Sequence, residues 1–411
     1  MKYLEQHIAT ATSIIKQYDG AMPLSNYLKQ HFAANKKYGG KDRKHIAHFC
    51  FLYFRLANAT KQLSIEETIK IALFITSHAI TDFTTFFTAD WLAHANATFT
   101  QKLAFITSIY PNISLSSIFS FVNDLSKGID SEQFAASHLV QPDLFLRIRP
   151  KQKDKVLRKL QVANIAFSLL TEDCLALPNT SKIDDILQTD REVVVQDYSS
   201  QRIAAFLSLI PNQKSPITVW DCCAASGGKS ILVVDVLGNV KLTVSDIRAT
   251  IIQNLKNRLA KAGIAIYHTV IADLTSTGSL LIGHRSLKTG YGEAANHQPS
   301  TINYQLIICD APCTGSGTWG RTPEQLSFFK STDIDKYVQL QQQIITNTIK
   351  QLVPGGYFLY ITCSVFKQEN EDMVAFILQQ HPSFILLKQE LLIGYDKKAD
   401  SMFAALFQLK P

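Results

Sequence analysis

No stretch of the 411 residues approaches the roughly 20 consecutive apolar residues that carry a helix across a bilayer. The segment Met1 to Tyr18 lacks the long apolar centre of a secretory leader. Cysteine is sparse and odd in number: the seven are Cys50, Cys174, Cys222, Cys223, Cys309, Cys313 and Cys363, without the spacing of a disulfide framework. These absences make a reducing, cytoplasmic setting the expectation, with no membrane partner. A metal site is not expected either. Cys309 and Cys313 lie close in sequence, but Cys309 belongs to an apolar run and no second ligand pair has suitable spacing. There is no internal repeat, and 18% charged residues against 46% hydrophobic ones argue against wholesale disorder.

What is present fits a globular chain too long for one ordinary core, so two or three domains are expected. The net charge of +7 permits a polyanionic partner, and its distribution says more than its size. Arg147, Arg149, Lys151, Lys153, Lys155, Arg158 and Lys159 are interrupted by one acid, Asp154. A smaller group, Lys36, Lys37, Lys41, Arg43 and Lys44, surrounds Asp42. A charge run is usually a solvated face, so these clusters only allow nucleic acid.

The chain changes character twice. Apolar residues recur at helical spacing over Ile8 to Tyr18, Ile46 to Leu56, Ile65 to Ile75 and Leu103 to Tyr110, which predicts an all-α domain over 1–135. Residues 136–190 predict a small α+β unit: a short strand Leu144 to Ile148, a basic helix Lys153 to Gln161, an apolar stretch near Ala166 to Leu170, and a polar linker Pro178 to Asp190. Over 191–411 strand and helix alternate, which predicts an α/β domain with a mostly parallel sheet. Strands are expected at Thr218 to Cys223, Lys241 to Asp246, Ala265 to Asp273, Tyr304 to Asp310 and Tyr357 to Cys363. Helices are expected at Gly228 to Leu237, Ala249 to Ala262, Asp335 to Leu352 and Asn370 to Gln380. Phe384 to Leu387 and Met402 to Leu409 predict a closing antiparallel hairpin, and the polar segment Thr275 to Ser300 a surface insertion.

Chemistry concentrates at the predicted strand ends, where open α/β sheets bind ligands. Asp221-Cys222-Cys223-Ala224-Ala225-Ser226-Gly227-Gly228-Lys229-Ser230 runs from the first strand into the first helix; small residues let a ligand approach the backbone, and a helix start offers unpaired amides. The Gly-Lys-Ser ending mimics a phosphate-binding loop, but Cys223 stands where that motif needs glycine. Asp246, Asp273 and Asp310 end the next three strands. Singly each is more often a cap or turn acid; in register behind a glycine loop they suggest a bound nucleoside cofactor. Cys313 and Cys363 each follow an apolar strand, in Asp-Ala-Pro-Cys and Thr-Cys-Ser. A lone cysteine there is usually a small buried hydrophobe; two converging on one crevice suggest covalent catalysis.

Taken in order, Val194-Val195-Gln196-Asp197-Tyr198-Ser199-Ser200-Gln201, Asp221 to Ser230, Asp310-Ala311-Pro312-Cys313-Thr314-Gly315-Ser316-Gly317, Arg321-Thr322-Pro323-Glu324 and Thr362-Cys363-Ser364 with Glu369-Asn370-Glu371 resemble the motifs of the Sun (Fmu) family of RNA cytosine-5 methyltransferases. The resemblance spans about Leu144 to the C-terminus. Lys41-Asp42-Arg43-Lys44-His45-Ile46 faintly resembles the NusB-like RNA-binding head of the bacterial small-subunit ribosomal RNA members.

The resemblance implies a Rossmann-like class I methyltransferase domain, S-adenosylmethionine as cofactor and ribosomal RNA, with 16S rRNA foremost, as partner. It makes Cys363 the nucleophile, gives Cys313 a part in release, and sets Asp310 at the cytosine edge. Cys223, Ala224, Ala225, Ser226, Gly227, Gly228 and Lys229 form the cofactor loop; Asp246 holds the ribose, Asp273 the adenine side, and Asp310 closes the set. Arg147, Arg149 and the following lysines become phosphate contacts. Gln196 and Asp197 match a motif whose plain alternative is capping by Ser199 or Ser200. Two positions depart from the pattern: Ser226 replaces a proline, and Gly320 replaces the first of two arginines before Thr322. Transfer RNA remains the alternative substrate, and a silent RNA-binding assembly factor the alternative class, which the intact Cys313 and Cys363 argue against. A DNA cytosine methyltransferase would take its nucleophile from the Pro-Cys motif instead.

Overall fold

Two compact units make up the protein in a computed structural model that describes residues 3–77, 81–211, 215–265, 267–276 and 303–411. One unit is Met1–Leu125, Ile129–Pro142 and Thr318–Ser331; the other is Ser126–Gly128, Asp143–Gly317 and Thr332–Pro411.

The first unit is helical. Its longer helices are Leu4–Gln17, Leu24–Ala34, Gly40–Leu56, Ile65–Thr76 and Phe99–Ile109. Ile8, Ala11 and Ile15 recur at helical spacing and are buried with Phe49, Cys50, Ile69 and Phe74, so the amphipathic stripes form the core. Ser64 and Thr98 start their helices by accepting the amides of Glu67 and Gln101. Thr318–Ser331, expected with the C-terminal domain, packs here instead. Its helix Pro323–Phe328 sends Glu324 to the Leu24 amide at 3.0 Å and the Phe328 ring edge-on to Tyr18. Gly320, the position lacking the expected arginine, offers its carbonyl to buried Arg55 at 3.0 Å; Arg55 also donates to the carbonyl of His138 at 2.6 Å.

The second unit contains two sheets. The smaller has the order β2-β3-β1-β4, with β1 Leu144–Ile148, β2 Ser168–Leu169, β3 Cys174–Leu177 and β4 Val193–Val195, all antiparallel. The helix Lys153–Val162 lays Val156 and Leu160 on Leu146, Ile148 and Leu175. Ile183 and Leu187 join the same core, so the stretch expected as a polar linker is part of the unit. The apolar pair four residues apart is the signal that its polar composition hid.

The basic cluster is also differently employed. Arg147, 2% exposed, pairs with Asp235 at 2.6 Å and with Gln196 at 2.8 Å; Arg149 pairs with the same Asp235 at 2.7 Å. Neither arginine is an open phosphate contact, which corrects the sequence expectation: a charge run does not disclose an acid that lies far along the chain. Lys151, Lys153 and Arg158 are exposed, whereas Lys155 and Lys159 both reach the buried Glu192, at 2.7 and 2.9 Å. Burial works against charge on Glu192, but the Gln188 amide and the two ammonium groups outweigh it and hold the carboxyl down to about 2, from an ordinary 4.5. A depressed folded-state value stabilises the native form above the unfolded value and loses that contribution as pH falls towards the folded one. Wild type is therefore expected to melt above Glu192→Gln near neutral pH, with the gap closing as pH falls from about 4.5 towards about 2; a gap independent of pH in thermal melts would contradict the ion-pair account.

The larger sheet has seven strands in the order β10-β11-β9-β8-β5-β6-β7. They are β5 Ile217–Asp221, β6 Val240–Asp246, β7 Tyr267–Ile271, β8 Tyr304–Asp310, β9 Leu352–Thr362, β10 Phe384–Leu392 and β11 Met402–Leu409. β5 to β9 run parallel, and β11 lies antiparallel between β9 and β10 as the expected hairpin. Both faces are covered: Leu306 and Ile308 enter one core and Ile307 and Cys309 the other, which is why β8 reads as an unbroken apolar run. β9 begins earlier than expected. Its register on β8 jumps between Leu352 and Tyr357, with Gly355 at φ 76° in the gap, so Pro354-Gly355-Gly356 interrupts the pattern without ending the strand. The helix before β9, Thr332–Thr348, accordingly stops short of the expected Leu352. Apart from Thr275 and Ser276, the segment expected as an insertion lies outside the described residues. Among the described residues no helix is long and apolar enough to cross a membrane.

Candidate active site

Strand order reverses at β5, which has β6 on one side and β8 on the other, so the crevice expected of a doubly wound sheet opens at the C-terminal ends of β5 and β8. The glycine loop occupies the end of β5. Ser245 at the end of β6 holds it: the Ser245 hydroxyl donates to the Cys222 carbonyl at 2.7 Å, the Ser245 carbonyl accepts the Ala224 amide at 2.9 Å, and Trp220 Nε1 donates to the hydroxyl. Gly227, at φ 83°, starts the helix Gly228–Leu237 in the left-handed region; a Cβ there would meet Leu255 at 3.1 Å.

At the base of the loop Asp221 is fully buried. One oxygen accepts the Ser230 hydroxyl at 2.6 Å, and Oδ1 has no partner among the described residues. Burial pushes this carboxyl up to about 7. Cys222, Cys223 and Cys309 place their sulfurs within 4.8 Å of one another beside it. Hydrogen bonds from Cys222 and Cys223 outweigh burial and push Cys309 down to about 6, while burial above all raises Cys222, and on Cys223 the hydrogen bond to Cys309 and burial prevail over the opposing bond to Cys222.

Asp246 and Asp310 end β6 and β8 as expected, whereas Asp273 lies two residues beyond the end of β7. Asp246 is buried and chelated by its neighbour Arg248, at 2.9 and 3.1 Å, and Asp273 is bonded by the Thr275 hydroxyl and amide. Asp310 receives the Lys229 ammonium at 2.7 Å. For Lys229 burial opposes the charge, but Asp310, with Cys363 and Asp221 adding, raises its affinity for the proton. The last residue of the glycine loop thus reaches both the β8 acid and the electrostatic field of Cys363.

The two thiols meet. β8 and β9 are parallel neighbours with Asp310 opposite Ile361, so the chain leaves both strands side by side. The Ala311 amide donates to the Ile361 carbonyl at 2.9 Å, and Gly317 donates to the Cys363 carbonyl at 2.9 Å. A Cβ on Gly317 would collide with the Ser401 carbonyl at 2.0 Å, so only glycine passes here. Cys313 Sγ and Cys363 Sγ, 50 residues apart in sequence, lie 3.2 Å apart, both half-buried and both free thiols. The hydrogen bond with Cys363, then burial, then the charges of Cys363 and Glu369 hold the Cys313 proton on.

The sequence reading missed Gln341, Thr314 and Ser364, whose side chains converge on Glu369 behind the thiols. Nothing in a helical pattern distinguishes Gln341 from its neighbours; Ser364 and Glu369 were visible only as motif letters. Neither Ser199 nor Ser200 caps the helix that follows, Ala204–Leu207, whose N-cap is Ile203 without a side-chain cap; both lie in the short helix Tyr198–Gln201, which Asp197 caps.

Residues 206–405 match the family model described as 16S rRNA methyltransferase RsmB/F. The probable ribosomal RNA small subunit methyltransferase B of Bacillus subtilis is 26% identical over 259 residues, 62% of this chain and 53% of that protein. The ribosomal RNA small subunit methyltransferase B of Xanthomonas campestris is 30% identical over 192 residues, 46% of this chain and 38% of that one. The chain thus spans about half the length, or less, of these relatives. Among solved structures, PH0851 superposes with a TM-score of 0.67 at 19% identity, covering 99% of each chain. NSun6 from Pyrococcus horikoshii with SFG gives 0.53 at 14% identity, covering 68% of this chain and 94% of that one. At these identities the structures speak for the fold.

Proposed function

The chain belongs to the RsmB/F (Sun/Fmu) family, and on that premise we propose that it methylates carbon 5 of a cytosine in small-subunit ribosomal RNA from S-adenosylmethionine, with Cys363 as nucleophile. The observation that carries the chemistry is the 3.2 Å approach of Cys313 and Cys363 at the ends of two parallel strands.

The crevice suits the cofactor. The orphaned acceptor of Asp221 at the base of the loop favours a ligand bearing positive charge, and the loop and strand-end acids supply the rest of a nucleoside site. Cys223, Ala224, Ala225, Ser226, Gly227 and Gly228 line its approach to the backbone, Asp246 takes the ribose hydroxyls by sharing or releasing Arg248, and Asp273 serves the adenine side. When bound, the cofactor supplies an electrophilic methyl group.

Carbon 5 of cytosine is a weak nucleophile until sulfur adds to carbon 6 and pushes an electron pair towards it. Cys363 makes that bond as the thiolate. Lys229, anchored on Asp310, provides the positive neighbour the thiolate requires, and the second oxygen of Asp310 accepts a hydrogen bond from the amino group on the cytosine edge. After methyl transfer a water molecule takes the proton from carbon 5, the electron pair of that bond restores the ring double bond, and sulfur departs as thiolate. Cys313, still carrying its proton, donates a hydrogen bond to the departing Cys363 sulfur. Exposed Lys151, Lys153 and Arg158, with Lys36, Lys37, Lys41 and Lys44 on the helical unit, are the phosphate contacts, and a stacked cytosine must be flipped out to reach the thiol.

Incubation of the purified chain with small-subunit ribosomal RNA and methyl-labelled cofactor should place label on carbon 5 of a cytosine. Folded, cofactor-binding protein that labels no RNA would sink the proposal.

A further inference from the structure

Each candidate cysteine is followed by a hydroxyl residue, Thr314 after Cys313 and Ser364 after Cys363, and both hydroxyls end on one carboxylate. That carboxylate is Glu369, fully buried. Its Oε1 accepts the Thr314 amide at 3.0 Å and the Gln341 side-chain amide at 3.0 Å; its Oε2 accepts the Thr314 hydroxyl at 2.6 Å and the Ser364 hydroxyl. Gln341 also donates to the carbonyl of Pro312 at 3.0 Å, so the residues on either side of Cys313 are held by one cluster. The Ser316 hydroxyl joins the two loops again, 3.1 Å from the Ser364 hydroxyl and 2.9 Å from the Val365 amide. Burial raises the proton affinity of this carboxyl, and the four hydrogen bonds from Ser364, Thr314 and Gln341, which fill the accepting capacity of its ionised form, work against that; all four donors are neutral groups. This is a costly way to bury a charge if all it does is fill space.

We propose that Glu369 is the positioning residue for both thiols, holding Cys313 and Cys363 at contact distance through Thr314 and Ser364. The proposal rests on the division of labour between the thiols given above and adds what enforces it. Hydrogen bonds fix the two loops in register, and the buried negative charge favours the protonated form of Cys313, the form that assists release.

Two readouts test this on the full chain without RNA or methyl transfer. The first is a dibromobimane crosslink between Cys313 and Cys363, mapped by peptide mass. Glu369→Ala is expected to slow it about tenfold, while Glu369→Gln, whose amide keeps the shape and whose hydroxyl partners can turn, stays within about twofold. The second is alkylation of Cys313 in a Cys363→Ser background. Removing the charge with Glu369→Gln should raise the thiolate fraction and speed alkylation near neutral pH by about threefold or more. Should Glu369→Ala fail to fold, the paired substitution Thr314→Val with Ser364→Ala, which withdraws both hydroxyls and leaves the carboxylate, carries the crosslink test. A crosslink rate within about twofold of wild type in folded Glu369→Ala or in the folded paired variant, or an alkylation profile unmoved by Glu369→Gln, makes Glu369 a structural buried acid only and overturns the proposal. An inactive protein that nevertheless shows both responses would refute the methyltransferase reading and leave the clamp standing.

Discussion

Cys363→Ala is expected to abolish methyl transfer, by at least about 10⁴-fold in turnover, while leaving cofactor binding unchanged. The size follows from the chemistry: without sulfur at carbon 6 there is no electron pair at carbon 5 for the methyl group to meet. The selectivity follows from the site. Cys363 directly follows β9, whereas the residues assigned to the cofactor lie on the β5 loop, at or just beyond the ends of β6 and β7, and, for Asp310, at the end of β8. The half-buried thiol can be truncated without opening a core cavity, so a loss of activity will not be a loss of fold. Single-turnover transfer with a known fraction of bound cofactor checks both halves. Residual turnover within about tenfold of wild type would remove Cys363 from the role of nucleophile.

Cys313→Ala is expected to do something different. Bond formation persists, but departure of sulfur loses the hydrogen bond that stabilises it, and turnover should fall about 10²-fold or more. The visible consequence is accumulation of a protein–RNA adduct that survives denaturant, a band absent from the double substitution Cys313→Ala with Cys363→Ala. The prediction depends on the 3.2 Å separation and on the raised proton affinity of Cys313, since a thiol that had already lost its proton could not donate. If Cys313→Ala formed no adduct while Cys363→Ala did, the two roles would be reversed and the Pro-Cys thiol would be the nucleophile.

Much of this site was legible because its parts sit at strand ends, where an apolar run stops against a polar residue. β8 and β11 read to the residue for that reason, both being covered on two faces. β9 was truncated in the reading because Pro354-Gly355-Gly356 imitates a boundary, although the strand passes through it with a register jump. The basic run was misread at Arg147 and Arg149 because their partner, Asp235, is on a helix more than eighty residues away, and local charge carries no information about distant acids. The stretch Pro178 to Asp190 looked like a linker by composition, yet Ile183 and Leu187 make it part of a core. For the thiols the sequence indicated only that each follows a strand; the pairing of β8 with β9 in parallel register brings the sulfurs into contact. The Glu369 cluster was invisible in kind, since a buried acid satisfied by a glutamine and two hydroxyls has no periodicity to find.

The central claim is the identity of the sulfur that bonds to the base, and it can be read directly with both thiols present. RNA carrying 5-fluorocytidine cannot lose its carbon 5 substituent as a proton, so wild-type protein with cofactor should stall as a covalent complex. Digestion and mass spectrometry of that complex are predicted to find the methylated fluorocytosine on Cys363, with Cys313 unmodified. The modification on Cys313, or a labelled RNA with no protein bound to it, would contradict the account.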